Sequence, residues 1–477
     1  MRKLIISLSA AFVILSPLVA QDLETGYFLG GNPYAFRLNP AFQSERNILS
    51  IGLGMTGVST ISNLGFSTLL YPEGGKLYTC LNDHVSASEL LGKLHRNNYM
   101  DIGARVNLLT VGFWSRRNFF TIDINVRNQE GVSLPYDLFR FIKGDKMEGN
   151  VFECASVGFR SQTFAEAAFG WSRSFDNRLS VGVRGKFIVG ALGQDLTLNK
   201  LKVTIGDESW SVDSHGRLTV SSPAVSVGVV EDTDIMNPRS FHFDWSKAGP
   251  AGWGGALDLG FRYDITPLLT VSGAVLDLGA IRWNQEIAYE TPDKTYEWAP
   301  SSEKTDASGF PNEVMELLSV GSGFLAWRED KDARPEFRLM PFRVNAGAEF
   351  RMPFYDRLSV GALYQGHFVN TFARHTGRMS LNWTPWDFLS LSTSATFTRL
   401  GESMGVALNL HPNGINLLLG CDYIPFRCVD LSPLLEDVDP KYARFLRCPR
   451  DQFKLNAYVG LNIAFGRSRL DHRKQYR

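Results

Sequence analysis

Net charge is missing from this chain: 49 Lys and Arg are balanced by 49 Asp and Glu over 477 residues. That balance leaves no polybasic footprint for nucleic acid. Cysteine is scarce, with 5 scattered residues, too few for a disulfide framework. Cys428 and Cys448 bracket one segment and could pair in an oxidising compartment; isolated thiols are the equal alternative. After residue 20 no stretch approaches the roughly 18 apolar residues that a spanning helix needs. There is no Gly-x-Ser-x-Gly elbow, no His-Glu-x-x-His and no phosphate loop. The 8 histidines show no metal-ligand spacing. No catalytic, cofactor or metal residue is therefore assigned; Ser359, His367 and Ser390 read as solvated strand positions, and an enzyme ranks last. No Pro- or Ser-rich linker or composition shift cuts the chain into domains.

The N-terminus reads as a secretory signal over residues 1–20. Arg2 and Lys3 supply the basic start, Leu4 to Leu15 an apolar stretch too short to span, and Pro17 and Ala20 the end before a cut at Gln21. No cysteine follows, which argues against a lipoprotein anchor.

What the chain does have is aromatics, glycine and a period of two. Phe 33, Gly 44, Tyr 15 and Trp 10 are distributed along its length. Trp253, Gly255, Leu257, Leu259, Phe261, Tyr263 and Ile265 form one strand face, and Gly254, Ala256, Asp258, Gly260, Arg262 and Asp264 the other. A soluble sandwich can show such alternation, and so can a membrane barrel with lipid outside and water inside.

Hairpins with very short turns recur. Phe164 to Phe175 turns at Asp176-Asn177 into Arg178 to Gly190; Trp253 to Ile265 turns at Thr266-Pro267 into Leu268 to Leu278. Phe342 to Arg351 turns near Pro353 to Asp356 into Leu358 to His367, and Arg378 to Trp383 turns at Thr384 to Asp387 into Phe388 to Phe397. The opposite ends are long: Lys200 to Ala251 through weak strands, Ile281 to Leu339 with a short helix at Asn312 to Leu318, and Asp422 to Phe453. Short turns at one end and long loops at the other are the asymmetry of a transmembrane barrel. The final strand, Leu455 to Phe465, alternates cleanly and ends on an aromatic; a basic tail, 467–477, follows. The expected fold is all-β, an antiparallel transmembrane barrel of about 14 strands (14 to 16 candidates), closed so that no edge is exposed. Trp114, Trp171, Trp253, Tyr263, Trp383 and Trp386 fit interfacial girdles. Ser86 with Glu89 reads as a capping box opening a short helix to about His95.

Strand parity puts Asp123, Arg127, Arg184, Lys186, Asp258, Arg262, Asp264, Arg343, Glu349 and Arg351 on the polar faces, where a barrel would point them into its lumen. Apolar clusters in the long loops, Leu431 to Leu435 and Phe310 to Leu325, are places to look for a ligand or partner.

The run Gly26-Tyr-Phe-Leu-Gly30 and then Leu38-Asn39-Pro40-Ala41-Phe42 resembles the N-terminal segment of FadL-like outer-membrane barrels, which include PorV-type proteins. With Val132 to Phe139, His411 to Asn416 and Asp422-Tyr423, the chain looks more closely like an uncharacterised Bacteroidota outer-membrane family, known as a domain of unknown function. The FadL resemblance implies a barrel plugged by its N-terminal segment in a Gram-negative outer membrane, passing hydrophobic molecules. The PorV resemblance implies a secretion accessory that binds a protein partner. Only Asn39, Pro40 and Ala41 carry over as a plug motif; Asn39 before proline also favours extended or turn backbone, so a simple turn into the first strand is an equal reading. The expected organisation is a signal peptide at 1–20, a plug-like segment at 21–47, the barrel at 48–466 and the tail. The expected function is non-catalytic binding or passive transport of a hydrophobic or amphipathic small molecule, with the structural or secretion-accessory role as the alternative. Outer-membrane lipid is the expected surrounding, and no cofactor is expected.

Overall fold

The computed structural model describes residues 23–466 except 53, 74–75, 81, 83, 145–146, 177, 230–235, 285–286, 292, 299–326, 370–371, 400, 426–427, 431–446 and 450–452. The signal peptide, the basic tail, the helix expected at Asn312 to Leu318 and the apolar clusters at Leu431 to Leu435 and Phe310 to Leu325 lie outside those residues. No helix among them is long and apolar enough to cross a membrane.

Fourteen antiparallel strands close into a barrel. They are β1, broken into Asn47–Ile51 and Thr56–Ser62; β2, Asn97–Ser115; β3, Asn118–Pro135; β4, Gly158–Phe175; β5, Leu179–Ile205; β6, Gly252–Asp264; and β7, Leu269–Trp283. The second half is β8, Phe342–Arg351; β9, Leu358–Val369; β10, Phe372–Trp386; β11, Leu389–Thr398; β12, Gly401–Leu410; β13, Ile415–Pro425; and β14, Phe453–Phe465. Closure comes from β14, which pairs with β13 on one side and with both pieces of β1 on the other. Every strand edge is thereby used, which a spanning sheet in hydrocarbon requires.

The distribution of side chains decides the environment. On β6, Leu257 and Leu259 are 39% and 46% exposed while Asp258 between them is fully buried. On β14, Val459, Ile463 and Phe465 face out, and Asn456, Tyr458 and Asn462 face in. Apolar outside and polar inside is the reverse of a water-soluble fold and is what a lipid-facing barrel needs. From Trp253 to Tyr263 the exposed apolar face of β6 covers about 25 Å, taking about 3.3 Å per residue and a tilt of about 40°.

Turns at one end are tight. Arg116 and Asp176 take positive φ of 56° and 47°, the conformation that reverses the chain in two or three residues. At the other end the structure differs from the sequence reading. β5 does not stop near Gly190 but runs to Ile205, and Trp210–Ser221 folds back along it as a long projecting hairpin, while the rest of the weak strands expected after Lys200 make a second one, Val225–Val229 with Met236–Phe243. The core of the first holds Phe141, Phe152, Leu198, Val203, Trp210 and Val212. β10 likewise runs from Phe372 to Trp386, through the turn expected at Thr384 to Asp387; a register shift between Trp383 and Trp386 accommodates Pro385, which has no N–H to give the ladder. The capping-box helix is present as Ala87–Leu91, with the Ser86 hydroxyl accepting from the Glu89 N–H at 3.2 Å; Gly92 ends it before His95.

Candidate functional site

Residues 23–46 lie inside the barrel. They enter beside the start of β1 and coil through two 3-10 turns, Thr25–Tyr27 and Ala35–Arg37. Three sets of contacts hold them.

The first is the Asn39-Pro40-Ala41 motif. The Asn39 Nδ2 donates to the Phe261 and Gly273 carbonyls at 3.0 and 3.2 Å, and its Oδ1 accepts from the Ala41 N–H at 2.9 Å. The side chain thus satisfies two carbonyls of adjacent strands and shapes its own turn. Pro40 presses on β5 at Gly182, where a Cβ would stand 2.1 Å from the Pro40 carbonyl oxygen. Glycine is needed there for backbone to approach backbone.

The second is an ion network through the middle of the lumen. Arg37 reaches Asp123 at 2.7 Å and donates to the Met55 carbonyl at 3.0 Å, where the break in β1 turns inward. Arg184 bridges Asp123 (3.1 Å) to Asp258 (3.2 Å), and Lys186 bridges Asp258 (2.8 Å) to Asp277 (2.5 Å). Arg127 bridges Asp277 and Glu166, both at 2.9 Å, and Arg343 also reaches Asp277 at 3.3 Å. Asn107 and Asn125 fill the remaining valences around Asp123. Buried charges persist only when paired and hydrogen-bonded like this.

The third set sits where the described chain begins. The Glu24 and Thr25 N–H groups donate to the Asp422 carboxylate at 3.0 and 2.8 Å. The Thr25 hydroxyl also bonds Asp422. Arg378 pairs with Glu24 at 2.6 Å and with Asp422 at 2.9 Å, and the Tyr423 hydroxyl donates to Glu24 at 2.6 Å.

Asp123, Arg127, Arg184, Lys186 and Asp258 are therefore buried in one network, and Arg343 joins it. Arg262 and Asp264 are half-buried and pair with each other at 3.2 Å near the tight turns, and Asp264 also accepts from the Thr270 hydroxyl at 2.7 Å; Glu349 accepts from Ser359 at 2.7 Å; Arg351 is half-buried at the end of β8. Strand parity passed over Asp277. A bulge sets Leu276 and Asp277 opposite Asp258 alone, and Asp277, at φ 63°, turns inward beside Leu276. Glu166 and Arg105 sit on polar faces that the parity reading did not single out, and Arg37, Arg378 and Asp422 become a site only when the N-terminal segment is threaded inside. Ser390 and His411 lie 3.2 Å apart beneath Gly30 and Gly31. The segments holding Cys428 and Cys448 pair as a short ladder one rung out of step, and their side chains lie outside the described residues. Among the described residues no group of three or more His, Cys, Asp or Glu is placed to hold a metal.

Between the network and the long-loop end is a cavity of about 120 Å³. Arg105, Arg127 and Arg343 line it together with Asp101, Glu130, Asp195 and Asp277; Val132, Phe159 and Leu196 give it an apolar side. The space is amphipathic, and its lining comes from the barrel wall.

Residues 40–422 match the family of unknown function DUF5723. The chain belongs to that family. DUF5723 proteins are here represented by a 14-stranded barrel with its N-terminal segment in the lumen, in line with the expected fold. No curated protein matches the sequence. Among solved structures, the toluene transporter TbuX of Ralstonia pickettii is similar with a TM-score of 0.44 at 10% identity, over 94% of this chain and 99% of that one. A Pseudomonas aeruginosa FadL homologue gives 0.40 at 12% identity, over 94% and 99%. The toluene transporter TodX of Pseudomonas putida gives 0.40 at 9%, over 94% and 96%. Likeness at this level leaves the chemistry of the lumen to be read from its own residues.

Proposed function

We propose that this DUF5723 protein is an outer-membrane barrel that binds an amphipathic small molecule in its lumen and passes it inward only when the N-terminal segment shifts. The observation that carries the reading is the cavity, apolar on one side and charged on the other, in a barrel whose lumen also holds an ion-paired N-terminal segment. A dry engineered cavity of about 150 Å³ holds benzene, so this one suits a small ring or the polar end of a longer amphiphile. Arg105, Arg127 and Arg343, with the carboxylates that share the lining, orient the polar end, and Phe159 and Val132 take the apolar part, the usual division of labour in a ligand pocket. The apolar belt and the tight-turn end support the outer-membrane assignment.

Native mass spectrometry of the purified barrel tests this. The wild type retains a co-purifying small molecule, and Phe159→Arg, which fills and charges the apolar side, loses it at least tenfold while the barrel still runs as a folded band. Loading the recovered molecule into proteoliposome uptake assays then separates passage from storage. A wild type that carries nothing, and takes up nothing from a panel of aromatic and alkyl acids, overturns the reading.

A further inference from the structure

The upper edge of the lipid belt can be placed by register. Trp253 of β6 pairs with Arg282 of β7, and Arg282 pairs with Phe337. Trp253 and Phe337 are exposed large apolar residues on that rung, and Phe187 lies beside Trp253, tilted by 37° with ring centroids 5.6 Å apart. Just above this rung the chain makes its excursion from residue 222 to 250. Both ends are pinned close to it: Ser221 pairs with Gly193, and the Ala251 N–H donates to the Gly190 carbonyl at 2.7 Å.

The excursion carries a separate two-stranded hairpin, Val225–Val229 against Met236–Phe243, which among the described residues shares no ladder with the barrel sheet. At its base the chain presents aromatics outward. Phe243 is 50% exposed and Trp245 77% exposed, their rings in an edge contact at 4.5 Å. Trp245 is displayed by a tight turn, Trp245–Lys247, that buries none of its residues. The turn is fixed by the Asp244 carboxylate, which accepts from the Ser246 N–H at 3.0 Å and its hydroxyl at 2.6 Å. The Asp244 N–H in turn donates to the Ala224 carbonyl at 2.8 Å, tying the base together. Lys247 follows, well exposed.

An unpacked aromatic pair, locally braced, with an exposed lysine beside it, at the rung where the lipid belt ends, has the chemistry of an interfacial anchor. We infer that Phe243 and Trp245 insert into the headgroup region of the leaflet on the long-loop side, extending the barrel's lipid contact sideways beyond its wall. The occupant is lipid because the chain runs from Trp245 to Trp253 of that edge in eight residues, with Ala251 bonded to Gly190 at the rim and Asp244 to Ala224 at the base of the hairpin. The inference stands apart from any ligand in the lumen.

The test is nitroxide accessibility on the full chain reconstituted in nanodiscs. Labels are placed by Trp245→Cys and, separately, Trp253→Cys, with the signal of the unsubstituted protein subtracted. The label at 253 reports the belt and should favour oxygen over a water-soluble nickel chelate. The label at 245 is expected to share that preference, with a shallower depth. Nickel-chelate access at 245 equal to that of a label at the exposed loop position 293 overturns the inference. Should the substitution at 245 prevent folding, judged by loss of the heat-modifiable band, Ser246→Cys reads the same turn and is held to the same outcomes.

Discussion

Asp123 accepts from Arg37, Asn107 and Thr110 on one carboxylate oxygen and from Arg184 and Asn125 on the other. Removing it leaves two guanidiniums without that partner in a lumen where water does not reach them. Breaking a buried pair costs about 3–5 kcal/mol. Asp123→Ala should therefore lower the denaturant midpoint of the folded band sharply, and Asp123→Asn, which keeps the shape and some hydrogen bonds, should lower it less. Equal stability of Asp123→Ala and wild type would remove the network from the account. Outside the spanning strands, Cys154 is buried between Phe152 and the projecting hairpin, and burial pushes its thiol up to about 12, with Asp137 and Glu153 adding to the shift. The thiolate is the reactive form. It is nearly absent below that pH, so maleimide labelling of Cys154 at pH 8 should be slow and become fast only after unfolding; rapid labelling of the folded protein would contradict its placement.

At the scale of elements, the N-terminal segment is fitted to glycines in the wall. A Cβ at Gly182 would collide with the Pro40 carbonyl, and one at Gly260 would stand 2.1 Å from the Asn39 Oδ1. Gly182→Val should force residues 39–41 away from β5 while leaving strand pairing intact. Trypsin added to the tight-turn side should then cut after Arg37 or Arg46, which the wild type should resist; unchanged resistance would mean the segment does not depend on that contact. The strands were legible because an apolar outer face and a polar, ion-paired lumen impose a strict alternation on each one, as in Leu257-Asp258-Leu259. The tight turns were legible for the same local reason, Asp176 being a residue that tolerates positive φ. What alternation could not show is where it is broken. The bulge at Leu276 and Asp277 moves a key carboxylate off parity, and the break in β1 sends Met55 inward toward Arg37. Partners far apart in sequence, such as Glu24 with Arg378 and Asp422, leave no periodic trace. The projecting hairpin was misread because above the belt both faces of β5 meet protein or water, so its alternation weakens.

At the scale of the whole molecule, 14 closed strands surround a threaded segment, and we propose that this segment shuts the barrel. Arg37 anchors that segment to β3 through Asp123, and Glu24 and Thr25 anchor it to β10, β11 and β13 through Arg378, Ser394 and Asp422. Both anchors must yield before the lumen connects end to end. The most direct test is ion conductance across a planar bilayer holding the full chain. The wild type should show no steady open channel, and the double variant Arg37→Ala, Glu24→Ala should show frequent openings while retaining its heat-modifiable band. A steady open pore in the wild type, or a double variant as silent as the wild type, would contradict a lumen closed by its own N-terminal segment.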